Sequence, residues 1–227
     1  MMQQQRRRNA EQSPSFLTTF ALAGALLLMS ACTTTTKELA LDGTFPIPLI
    51  SKSPVQMGIH LDQTLTSFTH VETIDKKGSW SVALGPAQQE MFGNLAIGIF
   101  ENHAFVDNLS VEAPLDGVLK PTIREVQFAL PSQTRSDYYE VWISYHFELY
   151  DRAGTPISEW KLPAYGKASK TNYASKTQGL QAAAMAACRD AMAFFSINFS
   201  REPAVRQWIN NGKPLMPAPP DPSSESI

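Results

Sequence analysis

The residues of this 227-residue chain with the means to do chemistry are two cysteines, four histidines, one serine–lysine pair and the carboxylates. Cys188 sits among alanines and apolar residues between Leu180 and Phe199, where a thiol is a small core residue and its thiolate is suppressed. His60, His70, His103 and His146 fall on separate elements. None has a second ligand at the i+3 or i+4 spacing of a helix-borne metal site, so only assembly in space could make one, and no metal is expected. Ser158 and Lys161 have the spacing at which a lysine one helical turn away activates a serine, but they lie on a predicted strand, which turns residues three apart to opposite faces. Glu140 and Glu148 share a face of one predicted strand yet stand about 27 Å apart at 3.4 Å per residue, too far for acid and base work on one bond. No phosphate-cradling glycine loop or dinucleotide fingerprint is present. The expectation is a protein with no catalytic residues.

The other cysteine is different. Leu28-Met29-Ser30-Ala31-Cys32 places small residues at the two positions before a cysteine, at the end of the apolar run Phe16 to Met29. Arg6-Arg7-Arg8 supply a positive region ahead of that run. The run is too short for a bilayer core of about 30 Å, which needs roughly 20 residues, and suits a cleaved signal; left uncleaved it would be a signal anchor. The pentapeptide resembles the lipobox of bacterial lipoproteins. That resemblance implies diacylglycerol on the Cys32 thiol, cleavage after Ala31 and acylation of the new amino group, with residues 1–31 lost. Thr33 stands where an aspartate would retain such a protein in the inner membrane of Gram-negative bacteria, so the resemblance implies the outer membrane, with the domain facing the periplasm.

Residues 1–31 hold three arginines and Glu11, which leaves 16 basic and 20 acidic residues in the rest. This offers no basic surface to nucleic acid. With Cys32 lipidated, Cys188 has no disulfide partner within the chain. Residues 32–54, with Thr33 to Thr36 and Pro46, Pro48 and Pro54, read as the lipidated N-terminus and a flexible tether with an end-to-end distance of about 25 Å. Residues 212–227, rich in proline and serine, read as a disordered tail. Residues 55–211 are long enough for a single domain with a core.

Within that domain Val55, Met57, Ile59 and Leu61 alternate with polar residues as in a half-buried strand. Phe68–Ile74 and Ser79–Leu84 flank a turn closed by Gly78. Gly85-Pro86 opens a helix carrying Met91, Phe92, Leu95 and Ile99, weakened by Gly93 and Gly98. Val118–Leu130 reads as a strand whose apolar phase slips between Ile123 and Val126, the mark of a bulge. Tyr139–Tyr150 has the strongest alternation, and Asp151-Arg152-Ala153-Gly154 turns it back into Ile157–Leu162. Ser175 and Gln178 are spaced as a capping box at the head of a long helix, and Pro203 opens a short one. The order β-β-β-α-β-β-β-α predicts an α+β fold: a mostly antiparallel sheet of five or six strands with two main helices packed on one face.

Two stretches suit binding. The outward residues of the strongest strand are Glu140, Trp142, Ser144, His146, Glu148 and Tyr150, so two aromatics stand among polar groups, as at interfaces. Residues 165–176 read as a strandless polar loop carrying Tyr165, Lys167, Lys170 and Tyr173. These seven, Trp142, His146, Tyr150, Tyr165, Lys167, Lys170 and Tyr173, are the candidate partner surface. With the lipobox and this element order, the chain resembles small envelope lipoproteins of Gram-negative bacteria: auxiliary lipoproteins of ABC-type transport systems, lipopolysaccharide-assembly lipoproteins, and domains like the N-terminal part of the translocation protein TolB. The resemblance implies a non-catalytic part of a transport or assembly system. It implies no cofactor beyond the covalent lipid, and as partners the membrane and other envelope proteins. The alternative is a periplasmic module that binds lipid, glycan or a small ligand.

Overall fold

The structure is a computed structural model and describes residues 36–74, 76 and 78–211. Residues 1–31, read above as a signal, Cys32, Thr33 to Thr35 and residues 212–227, read as a tail, lie outside the described residues.

Among the described residues, eight strands and three helices of more than one turn follow one another: β1 (Lys37–Ala40), β2 (Ser53–Ile59), β3 (Thr69–Ile74), β4 (Gly78–Ala83), α1 (Gly85–Ile99), β5 (Phe100–Phe105), β6 (Gly117–Ala129), β7 (Tyr138–Asp151), β8 (Pro156–Ser169), α2 (Lys176–Asn198) and α3 (Pro203–Asn211). The fold is α+β, but the strands form two sheets where one was expected. β1-β4-β3 is a small sheet, and β5-β2-β6-β7-β8 is the main one. Nor is the arrangement mostly antiparallel. β1 runs parallel to β4, and β2 runs parallel to both β5 and β6, which equals the number of antiparallel pairings. The physical reason is the long excursion after β2. Between Ile59 and Phe100 the chain builds β3, β4 and α1, enough to return β5 alongside β2 in the same direction, as parallel neighbours require.

The segment read as a tether is folded from Thr36 onward. Leu39 and Phe45 are buried, Lys37 Nζ lies 4.7 Å over the Trp80 ring, and the Phe45 carbonyl accepts from Asn94 Nδ2 at 2.7 Å. Arg189 on α2 donates to the Thr44 carbonyl at 2.8 Å. Pro48 crosses α1 at Gly98, where an added β-carbon would meet the proline ring at 2.6 Å. A residue chosen poorly for helix propensity is thus the one that lets this strap pass.

The inward face of β7 is the expected one: Tyr139, Val141, Ile143, Tyr145, Phe147 and Leu149 are all buried. Both long helices pack on it. Phe147 has Phe92 of α1 at 6.0 Å, Phe195 of α2 at 4.7 Å and Trp160 of β8 stacked at 5.6 Å between ring centroids. Tyr145 donates its hydroxyl to Gln88 Oε1 at 3.1 Å and lies 3.7 Å from Cys188 Sγ. Burial pushes the Cys188 thiol up to about 11, so it stays a protonated core group at neutral pH. The predicted bulge is present between Ile123 and Glu125, and Ser175 caps α2 by accepting from the Gln178 amide at 3.1 Å.

Candidate functional site

The period of two that buries one face of β7 turns Glu140, Trp142, Ser144, His146, Glu148 and Tyr150 to the other. Antiparallel β8 supplies their neighbours: Lys167 opposite Glu140, Tyr165 opposite Trp142, Lys161 opposite His146 and Glu159 opposite Glu148. Because α1 and α2 lie on the inward face, Trp142 and Tyr165 remain 40% and 38% exposed.

These two rings form a tilted pair, 5.3 Å between centroids, an arrangement worth about 0.5–1.5 kcal/mol beyond its buried area. The pair is fixed from one side. The Tyr165 hydroxyl donates to Glu140 Oε1 at 2.7 Å, and this bond, with a smaller effect of burial, pushes the phenol up to about 12. Lys167 Nζ lies 5.0 Å over the Tyr138 ring beside them. On the other side of Trp142 a shallow niche of about 240 Å³ is lined by Ile143, Ser144, Pro163, Ala164 and Gln127. Its floor is apolar and its rim polar, the arrangement of a small anchoring pocket. Glu140→Gln is expected to return the Tyr165 phenol toward its ordinary value near 10, since the carboxylate that disfavours a phenolate is gone. The check is the difference in alkaline tyrosine absorbance titration between variant and parent; superimposable titrations would show that the pair is not held by Glu140.

Further along the same face stands a charged group. His146 is buried, with Nε2 3.3 Å from Glu159 Oε2. Glu148 accepts from the Tyr150 hydroxyl at 2.9 Å and pairs with Lys120 Nζ at 3.3 Å. Partial burial raises the Glu148 carboxyl, but the Tyr150 hydroxyl and the Lys120 ammonium outweigh it and leave it below the usual range. The same bond to Glu148, after burial, raises the Tyr150 phenol. One ligand atom each from His146, Glu148 and Glu159 lies within 4.8 Å of the others.

The structure thus divides the seven predicted residues. Trp142 and Tyr165 meet, with Lys167 next to them. His146 and Tyr150 share the face but belong to the charged group. Lys170 is elsewhere, paired with Asp137 Oδ1 at 2.7 Å where β7 and β8 begin and end. Tyr173 turns toward α2, lining a polar cleft of about 620 Å³ with Asp42, Gln178, Gln181 and Arg189. The expected strandless loop is strand as far as Ser169, which is what brings Tyr165 against Trp142. Glu125, Gln127, Glu159 and Pro163 also belong to this face; only pairing register reveals them.

No family model matches the chain, and no curated protein matches it. Among solved structures it is similar to a Xanthomonas campestris protein of the DUF330 family, at 12% identity and a TM-score of 0.46 over 71% of this chain and 92% of that one. It is also similar to a candidate lipoprotein of Caulobacter crescentus, at 12% identity and a TM-score of 0.37 over 57% and 84%. A hypothetical protein of Chlamydia trachomatis follows, at 13% identity and a TM-score of 0.32 over 71% and 95%. Likeness at this level does not extend to activity or partners.

Proposed function

We propose that the chain is a non-catalytic accessory or structural lipoprotein of a cell-envelope transport or assembly system. In this reading Cys32 carries diacylglycerol and an N-acyl chain, the anchor lies in the outer membrane, and the domain faces the periplasm. The lipobox-like Leu28 to Cys32 supports the anchor, and among the described residues no helix is long and apolar enough to cross a membrane. Because β1 starts at Lys37, only Thr33 to Thr36 separate it from Cys32, and five residue steps reach at most about 18 Å. The first strand of the domain would therefore start close to the bilayer surface.

The observation that carries docking is the exposed Trp142–Tyr165 pair beside its apolar niche, on a sheet face left open by the helices. Aromatics of this kind, rigid and amphipathic, are the anchors of protein interfaces. A second reading, a glycan or small-ligand module, is favoured by the polar cleft beside α2, whose amides, hydroxyl and guanidinium suit a hydroxylated ligand. A lipid held between helix and sheet is disfavoured, because side chains fill that space: Leu162, Ala183, Ala184, Ala187 and Phe195 are all buried there.

Crosslinking the lipidated chain in the envelope and purifying it under denaturing conditions tests the proposal. A discrete protein adduct that is lost in a Trp142→Ala/Tyr165→Ala variant is expected. Recovery of no protein partner, with glycan or lipid co-purified under native conditions, would transfer the weight to the second reading.

A further inference from the structure

Strand geometry assembles on the outer face a donor set that no single stretch of sequence displays. His146 and Glu148 are two residues apart on β7 and so share a face, and the β7–β8 register sets Glu159 directly opposite Glu148. Two strand neighbours and one cross-strand partner are the least that a sheet needs to offer three ligands to one point. We propose that His146, Glu148 and Glu159 form a binding site for a divalent cation of the borderline class, Zn²⁺ foremost. This site is independent of the docking role above.

Three observations support it. His146 Nε2 and Glu159 Oε2 are 3.3 Å apart, the separation of two ligands held at about 2.0–2.1 Å on a tetrahedral zinc; all three donors fall within 4.8 Å, so small side-chain rotations bring the third in. Secondly, Glu148 and Glu159 are like charges directly opposite one another on neighbouring strands, a pairing that destabilises a sheet unless a cation sits between them. Thirdly, His146 is 8% exposed and its Nδ1 has no hydrogen-bond partner. The fold therefore buries an imidazole against two carboxylates without holding both its nitrogens, although a ring kept only for packing would be replaced at less cost by an apolar one.

Chemistry narrows the ion. One neutral imidazole and two carboxylates neutralise a 2+ charge and suit zinc, whereas calcium and magnesium want six or more oxygens. The Tyr150 hydroxyl on Glu148 Oε1 is then an outer partner that orients the ligating carboxylate. Glu159, with a side chain 74% exposed, supplies the third ligand from the solvent side and leaves a fourth position to water. The ion has a competitor: Lys120 Nζ, 3.3 Å from Glu148 Oε2, must swing away when the ion enters.

The test is zinc binding by the full chain at neutral pH, read by competition with a chromophoric chelator. One equivalent is expected. Glu159→Gln alters only an exposed side chain, so it keeps the fold, and it should weaken binding by about tenfold or more. Lys120→Met should tighten it several-fold by removing the competing ammonium. Absence of a stoichiometric site, an affinity unchanged in Glu159→Gln, or an affinity no higher in Lys120→Met would each overturn the proposal and leave the cluster an ion-pair network.

Discussion

Gly166→Ala is expected to cost about 3 kcal/mol or more of folding stability. A β-carbon at Gly166 would drive into the Ala183 carbonyl oxygen and the Ala187 amide nitrogen, with the Ala186 carbonyl carbon at 2.8 Å. These are backbone atoms of α2, so no rotamer change relieves the clash. The helix as a whole must lift from β8 or the strand must bend. In a domain of this size such a loss lowers the melting temperature by roughly 6–12 °C, which thermal unfolding followed by circular dichroism reads directly. Gly93→Ala is the control. Its β-carbon would meet only the Phe105 ring, at 3.5 Å, an ordinary contact, and alanine is better than glycine in a helix by about 1 kcal/mol. An unchanged melting temperature in Gly166→Ala would mean that α2 does not lie on β8 as described.

Cys32→Ser is expected to have the largest effect on the protein's place in the cell. In the lipobox reading the Cys32 thiol receives the diacylglycerol and a hydroxyl cannot stand in for it, so acylation and cleavage after Ala31 should be lost together, leaving residues 1–31 in place. Each buried methylene contributes about 0.8 kcal/mol, and one chain alone binds only marginally; losing every chain therefore takes away the lipid anchor and leaves the uncleaved apolar run Phe16 to Met29 as the remaining attachment. Intact-mass analysis of the variant from a Gram-negative host should give the unprocessed chain without lipid. A variant that is still cut and acylated would contradict the lipobox reading.

What the sequence made legible follows from side-chain size. Tyr139 to Tyr150 announces β7 because large apolar residues alternate with polar ones. The Ile123–Val126 slip shows because both residues are big enough to mark a phase. β8 past Leu162 keeps the same alternation, with Ala164, Gly166 and Ala168 buried, but its inner residues are small, and small residues carry little periodic signal. They are small because α2 lies close. The same closeness that defines the packing hides the strand.

β1 and β5 carry no strand signal in the sequence for another reason. β1 has four residues, and among the six of β5 only Phe100 is buried, so neither is long or two-faced enough to show a period. Their pairing is decided by tertiary context, parallel to β4 and to β2. For the site, the outward face of β7 was readable from one strand alone. Its complement on β8 was not. A register shift between Leu149 and Tyr150 defeats counting outward from the Asp151–Gly154 turn, and with it the pairing of Glu148 with Glu159 and of Trp142 with Tyr165.

In the proposed function a lipid-anchored domain meets another envelope protein through the Trp142–Tyr165 face. Site-specific photo-crosslinking tests it most directly, with the photoreactive residue placed at Trp142 and, as a control, at Val71, which is 60% exposed on the small sheet. Irradiation of intact cells should give one discrete protein adduct from position 142 and none from position 71. Adducts at neither position, or the same adduct at both, would contradict the account.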